Sequence, residues 1–96
     1  MRGNEIVNGQ PIRCYDNMGR TADRYTVVFM NRNYIRETGR NLYPCLGMSG
    51  APFHPQGIAQ HSDCMLGQHL GKRVPFASLP EDCQKAVRQD MGLPLE

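Results

Sequence analysis

The stretch RYTVVFM, residues 24–30, restricts the fold more than any other part of the sequence. It is rich in β-branched and aromatic residues, which favour strands. Successive side chains of a strand lie on opposite faces of a sheet, and both alternating sets are largely apolar here: Tyr25, Val27 and Phe29 on one face, Thr26, Val28 and Met30 on the other. We therefore predict that this strand occupies the centre of a sheet.

Three further stretches have the features of less buried strands. PIRCYD, residues 11–16, alternates apolar and polar side chains, and the NMGR that follows is typical of a turn, because Asn and Gly tolerate positive φ. LYPCLGM (42–48) and KRVPF (72–76) each contain a proline, which cannot donate to a ladder, so we expect edge strands, or a bulge in the first. The polar residues 31–40 are predicted to form a long hairpin loop or a single helical turn.

The strongest local signal predicts a C-terminal helix. Ser78 and Glu81 have the spacing of a capping box, and Pro80 is tolerated in the first turn because its missing N–H would have no partner there. The helix is expected to end near Met91. Its apolar stripe should pack on the sheet, which makes Cys83 a core thiol; the stripe consists of Leu79, Cys83, Ala86, Val87 and Met91.

These elements predict an α+β fold, a small antiparallel sheet of three or four strands with one C-terminal helix packed on one face. A chain of 96 residues is too short for two cores, so residues 1–96 are expected to form a single domain. The sequence has no stretch of roughly 20 apolar residues that would cross a bilayer, and no signal-peptide core. It therefore predicts a cytoplasmic protein without a membrane partner, whose four cysteines are thiols.

The positive charge lies in the N-terminal half. Residues 1–44 contain seven arginines and four acidic residues, although the net charge of the chain is only +2. Guanidinium groups bind carboxylate and phosphate well, and arginine mixed with tyrosine is typical of interface hot spots. The simpler interpretation is a solvated face with ion pairs, in which Asp16 and Asp23 pair with Arg20 or Arg24. The predicted partner-binding residues are Arg13, Tyr15, Arg20, Arg24, Tyr34, Arg36 and Arg40.

Residues 46–64, LGMSGAPFHPQGIAQHSDC, have no hydrophobic period, and we expect an irregular segment over 47–71. Such long irregular segments in small domains are usually functional. Within it, GMSGAP resembles the GDSGGP motif around the serine nucleophile of chymotrypsin-like proteases. All three histidines follow the serine, however, and Met48 replaces the aspartate, so a hydrolase would need a different triad of Ser49, His54 and Asp63.

The same region contains side chains suited to zinc. Cys45, His54, His61 and Cys64 offer soft and borderline ligands, and the His-x-x-Cys spacing of the last two lets one turn present two ligands to one ion. A zinc ion would stabilise a segment that lacks a hydrophobic core. The paired Cys-x-x-Cys knuckles of common zinc fingers are absent from the sequence, and the alternative is a surface loop whose histidines bind backbone carbonyls. Clustered carboxylates and a phosphate loop are also absent from the sequence, so we assign no catalytic residues.

Two long stretches carry a further resemblance. YDNMGRTADRYTVVFM, and GMSGAPFHPQGIAQHSDC continuing to LGKRVPFASLPEDCQ, are similar to a group of short, functionally unassigned proteins encoded by bacterial phages, prophages and plasmids. The similarity covers about residues 12–90 and implies an origin in a mobile element. Small proteins from that context often inhibit host enzymes, CRISPR effector complexes among them.

The sequence favours a non-enzymatic binding protein that occupies a surface of a host protein or nucleoprotein complex, as an inhibitor of a defence system such as CRISPR. No cofactor is expected on this hypothesis. Nucleic acid is the second candidate partner, because a net charge of +2 is weak for phosphate binding. The alternative is a small zinc-supported domain, or a hydrolase, with its site in residues 45–69.

Overall fold

Seven strands and one α-helix form an α+β fold in the computed structural model, which describes residues 3–32, 34–35 and 41–91. The strands are β1 (Glu5–Val7), β2 (Gln10–Asp16), β3 (Tyr25–Phe29), β4 (Tyr34–Ile35), β5 (Asn41–Met48), β6 (Ala59–Cys64) and β7 (Lys72–Val74), and the helix is α1 (Glu81–Asp90). Short 3₁₀ helices occupy Met30–Arg32, Gln68–Leu70 and Phe76–Ser78. The predicted antiparallel sheet and single C-terminal helix are confirmed, but the predicted number of strands, three or four, was too low.

Strands β2, β3 and β5 form the centre of the sheet. β3 pairs with β2 on one side and with β5 on the other, which confirms the central position predicted for RYTVVFM. The other edge of β2 is shared by β1 and β7. Among the described residues β7 pairs with β2 alone, which confirms the edge position expected for KRVPF. β4 pairs with the first residues of β5, and β6 pairs with residues 43–48.

Two predictions about strand positions were wrong. β5 is an interior strand that pairs with β3 and with β6. The paired residues of β5 and β3 end at Cys45, so Pro44 lies outside that ladder and needs no N–H to donate to β3. Residues 59–64, predicted to be irregular, form β6. Within the described residues β6 pairs with β5 alone, and its side chains are exposed or half-buried. An edge strand of this kind is held by main-chain hydrogen bonds, so its sequence, AQHSDC, shows no apolar alternation.

The helix covers one face of the sheet. Alternate side chains of the central strands pack against α1 and the residues before it, and this core consists of Ile12, Cys14, Val27, Phe29, Leu46, Met48, Phe76, Leu79, Cys83, Ala86, Val87 and Met91. The predicted apolar stripe and the core position of Cys83 are confirmed. The capping box was wrong: the Ser78 hydroxyl donates to the Pro75 carbonyl within a 3₁₀ helix, and Pro80 precedes the first helical residue.

The opposite face of the sheet is crossed by residues 65–71, which we call the covering segment. It contributes to a second, smaller core of Tyr15, Val28, Cys45 and Leu70, with Met30, Tyr43, Cys64 and Leu66 partly buried beside it. Adjacent residues of β3 therefore lie in different cores, and Val27 and Val28 are both 0% exposed. The segment joins β7 through Gly71, whose φ is 99°, and a Cβ there would lie 2.3 Å from the Asp16 carbonyl oxygen.

The turn between β2 and β3 is held by side-chain hydrogen bonds. The Asp16 carboxylate accepts from the Met18 amide at 2.8 Å, and the Asn17 side-chain oxygen accepts from the amides of Gly19 and Arg20 at 2.9 and 3.1 Å. Met18 and Gly19 both adopt positive φ, 63° and 86°. Because Met18 is 69% exposed, its side chain gains little burial to offset the left-handed backbone, which costs a non-glycine residue about 1 kcal/mol.

We expect Met18→Gly to raise the free energy of unfolding by about 0.5–1 kcal/mol, because glycine adopts positive φ without steric cost. Urea denaturation followed by circular dichroism measures the change. Ala22→Gly is the matched control, since Ala22 is exposed in the same loop and its φ is not positive. Glycine there only adds freedom to the unfolded chain and should lower stability. Equal effects of the two substitutions would contradict backbone strain at Met18.

Candidate functional site

Two hollows lined by described residues open on the face of the sheet that the covering segment crosses. The arginine groove has a volume of about 640 Å³, and its walls include Arg13, Tyr15, Leu66, Gln68, Gly71 and Arg73. The thiol cavity has a volume of about 390 Å³, and its walls include Asp23, Thr26, Cys45, Ser62, Cys64 and His69. Residues of the covering segment line both hollows, so the candidate site consists of the two hollows beside this segment.

Arg13 and Arg73 reach the arginine groove from neighbouring strands. Tyr15 shares a face of β2 with Arg13, and Arg73 of β7 lies directly opposite Tyr15 in register. The Arg73 guanidinium lies over the Tyr15 ring, 5.7 Å from its centroid, and donates to the Gly3 carbonyl at 2.8 Å. Arg13 donates from Nε to the Asn4 side chain at 2.7 Å. Hydrogen bonds therefore hold two positive groups at one site.

Arg73 was missed in the sequence, because it lies outside the basic N-terminal half. The alternation in KRVPF predicts a strand, but it does not identify the strand's partner. Arg73 joins Arg13 only because β7 pairs with the distant β2.

The described members of the predicted partner-binding set do not share one face. Arg13 and Tyr15 line the arginine groove, whereas Arg20 is exposed on the turn after β2. Other members of the set are outside the described residues: the side chain of Tyr34, and Arg36 and Arg40 entirely. The structure thus brings together two of the predicted residues and adds Arg73.

Arg24, another predicted member, forms an ion pair with Asp16. Its Nε and Nη2 donate to the two carboxylate oxygens at 2.8 and 3.0 Å, which confirms the pairing expected at the first turn. The guanidinium lies 5.1 Å from the centroid of the Tyr25 ring, which packs against the core under α1. Arg24 is therefore on the other side of the sheet from the arginine groove. Its hydrogen bonds lower the pKa of Asp16.

Ser49 and His54 stabilise the loop between β5 and β6. The Ser49 amide donates to the Ile58 carbonyl at 3.0 Å, and its hydroxyl accepts from the Ile58 amide at 2.9 Å. His54 Nδ1 accepts from the Gln56 amide at 3.2 Å. A triad with Asp63 would need the serine hydroxyl to donate to an imidazole. The described hydrogen bonds give both side chains a structural role, and a hydrolytic triad at these residues stays a prediction.

Of the four predicted zinc ligands, the structure brings together Cys45 and Cys64. His61 is opposite Leu46 on the helix side of β6, where its Nε2 contacts the Asp90 carboxylate. His54 lies in the loop. Among the described residues, no group of three or more His, Cys, Asp or Glu side chains is placed to hold a metal ion. A zinc site at these residues stays a prediction.

Cys45 and Cys64 face the thiol cavity from adjacent strands. Ser62 lies opposite Cys45 in register, with its Oγ 3.2 Å from the Cys45 Sγ. A hydrogen bond from the Cys64 thiol, together with the one from Ser62, lowers the pKa of Cys45 from 9.0 to about 7, although burial opposes this change. The bond to Cys45, and then burial, raises the pKa of Cys64. The two thiols therefore titrate as a coupled pair, whose first proton is lost more readily than that of an ordinary cysteine.

Asp23 forms part of the cavity wall beside Gly47. A Cβ on Gly47 would lie 3.0 Å from the Asp23 Oδ2, so the glycine leaves room for the carboxylate. The other oxygen of Asp23 accepts from the Thr21 hydroxyl at 2.6 Å, and Thr21 accepts from the Asn17 side chain at 2.7 Å. A chain of hydrogen bonds therefore connects the turn after β2 to the thiol cavity.

No family model, curated protein or solved structure matches this chain. In the part of the chain that the structure describes, no helix has the length and apolar character needed to cross a membrane. The two hollows are therefore the basis on which a function is assigned.

Asp16→Asn should lower the free energy of unfolding at pH 7, because Arg24 loses its charged partner. The folded-state pKa of Asp16 is lowered, so its contribution is present above the unfolded value of about 4 and is lost as the pH falls through the lower folded value. The stabilities of the two proteins should therefore converge between pH 7 and pH 2. Urea denaturation over this range measures the difference, and a difference that stays constant with pH would contradict the ion pair.

Proposed function

We propose that this protein is a non-enzymatic binding protein that occupies an acidic surface of a host protein through the arginine groove. The observation that carries the proposal is the convergence of Arg13 and Arg73 beside the buried Tyr15 ring. Guanidinium groups bind carboxylates through paired hydrogen bonds. Because both groups are already held by Asn4 and Gly3, binding would cost them little conformational freedom.

A protein partner suits this groove better than nucleic acid does. Binding to a phosphate backbone usually relies on a strong positive excess spread over a surface, and this chain has a net charge of +2. The groove combines its two arginines with the apolar Leu66, the amide of Gln68 and an aromatic ring. Arginine and tyrosine are among the residue types enriched in hot spots that bind proteins. We therefore assign an acidic protein segment as the occupant.

The proposal includes an origin in a mobile element and an inhibitory role in the cytoplasm. We propose the resemblance to proteins of phages, prophages and plasmids together with that origin. Occupation of a host surface is sufficient to block a defence complex such as a CRISPR effector, without catalysis. The described walls of the groove contain no thiol, imidazole or carboxylate, and this composition favours binding over chemistry at the groove.

Arg13→Glu tests the groove. A tagged chain with a photo-crosslinking residue at Gln68, an exposed position on the groove wall, captures its partner from bacterial extract prepared with and without nuclease. The crosslinked protein is then purified and titrated by calorimetry with the wild type and the variant. We expect Arg13→Glu to raise Kd at least tenfold, equivalent to about 1.4 kcal/mol, because the reversed charge repels an acidic surface.

Arg20→Glu is the matched control, because it makes the same charge change at an exposed position outside the groove. Its Kd should stay close to that of the wild type. Equal weakening by the two variants would show a general charge effect and reject the groove. Unchanged affinity of Arg13→Glu would also reject it, and a partner that is lost on nuclease treatment would be a nucleic acid instead of a protein.

A further inference from the structure

The outer edge of β6 is the longest strand edge that has no neighbouring strand among the described residues. β6 has six residues and pairs with β5 alone, whereas β1, β4 and β7, which also pair on one side only, have three residues or fewer. Such an edge can pair with a strand of another chain, and proteins usually prevent this with a short strand, a lysine, a proline or a covering segment. The β6 sequence, AQHSDC, contains neither lysine nor proline, and its first five residues are exposed.

The main-chain hydrogen bonds show which residues of β6 face this edge. The Ser49 amide donates to the Ile58 carbonyl at 3.0 Å, so these two residues form a hydrogen-bonded pair at the start of the β5–β6 ladder. Hydrogen-bonded and non-hydrogen-bonded pairs alternate along an antiparallel ladder. The alternate residues Ala59, His61 and Asp63 therefore direct their N–H and C=O groups away from β5, toward the outer edge.

A second copy of the same edge is complementary to this one in charge. Antiparallel pairing of two identical strands creates a two-fold axis, which places one residue opposite its own copy. With Ser62 at that centre, His61 lies opposite Asp63 of the second copy, and Asp63 lies opposite His61 of that copy. With His61 at the centre instead, His61 would meet its own copy and Asp63 would meet Ala59. Charge complementarity therefore selects the arrangement that is centred on Ser62.

We propose that β6 pairs with β6 of a second copy of this chain, in an antiparallel two-fold dimer centred on Ser62. Each of the two His61–Asp63 pairs exchanges two main-chain hydrogen bonds, because both residues direct their N–H and C=O groups to the shared edge. The two sheets thereby join into one, with both α1 helices on the same face. The arginine groove stays open in the dimer, because it lies beside β2 and β7 at the opposite edge of the sheet, so dimerisation and binding at the groove can be measured separately.

The side chains of His61 and Asp63 can contact the second copy and their own chain at the same time. Alternate residues of a strand share a face, so both side chains lie on the helix side of the sheet. The His61 Nε2 contacts the Asp90 carboxylate of its own chain, and a protonated imidazole has a second N–H, at Nδ1, for Asp63 of the second copy. A carboxylate has about four lone-pair sites, so Asp63 accepts this hydrogen bond alongside contacts within its own chain.

Sedimentation velocity from micromolar to millimolar concentrations measures the oligomeric state, with a reducing agent present to keep the cysteines as thiols. We expect the wild type to shift from monomer to dimer as its concentration rises. Asp63→Lys places a lysine opposite His61 of the second copy and should raise the dimer Kd about tenfold. Glu81→Lys makes the same charge change at an exposed residue of α1 and should leave this Kd unchanged. A wild type that stays monomeric, or equal effects of the two variants, would overturn the proposal.

A mixture of two variants tests the register of the strand pair. His61→Asp places an aspartate opposite Asp63 of the second copy and should also raise the dimer Kd about tenfold. A mixed dimer of His61→Asp with Asp63→Lys instead has an aspartate opposite a lysine and a histidine opposite an aspartate. The equimolar mixture should therefore dimerise as strongly as the wild type at the same total concentration, and circular dichroism checks that each variant is folded. A mixture that dimerises no better than the separate variants would reject this register and the proposed dimer.

Discussion

The rest of the structure depends on the burial of both faces of β3. Val27 packs toward α1 and Val28 toward the covering segment, and neither is exposed to solvent. Full burial of a valine side chain contributes about 1.5–3 kcal/mol. Both α1 and the covering segment therefore stabilise β3. The two differ in the apolar surface they bring to the sheet. α1 supplies a regular apolar stripe, whereas the covering segment supplies chiefly Leu66 and Leu70. One face of the sheet is therefore closed and the other is only partly covered.

This difference between the faces explains where polar chemistry occurs. Under α1, Cys14 is surrounded by apolar side chains, and burial raises its pKa. Cys45 is also nearly inaccessible, at 3% exposed, but the partly covered face places Ser62 and Cys64 beside it, and their hydrogen bonds lower its pKa. The same face allows Arg73 to lie over an aromatic ring at the border of the covering segment. The partly covered face therefore supplies interaction partners to both groups.

Local patterns predicted the elements whose signals act over a few residues. The alternation in RYTVVFM predicted β3, and the helical stripe predicted α1. The first turn predicted that Asp16 pairs with Arg20 or Arg24, and the structure shows Arg24. The same method could not find β6, because an exposed edge strand is stabilised by main-chain hydrogen bonds that its side chains do not reveal. The predicted capping box failed because the Ser78 hydroxyl binds the Pro75 carbonyl within a preceding 3₁₀ helix.

The residue types of both candidate sites were visible in the sequence, Arg13 as part of a basic half and Cys45 and Cys64 as soft ligands. Their neighbours followed from strand register. The pairing of β7 with β2 brings Arg73 to the groove, and the pairing of β5 with β6 joins the two cysteines while it directs His61 to the helix side. A shift of one residue would move each side chain to the opposite face. Strand and helix propensity are local and can be read from a short stretch, whereas register links distant segments and becomes apparent only when the sheet has assembled.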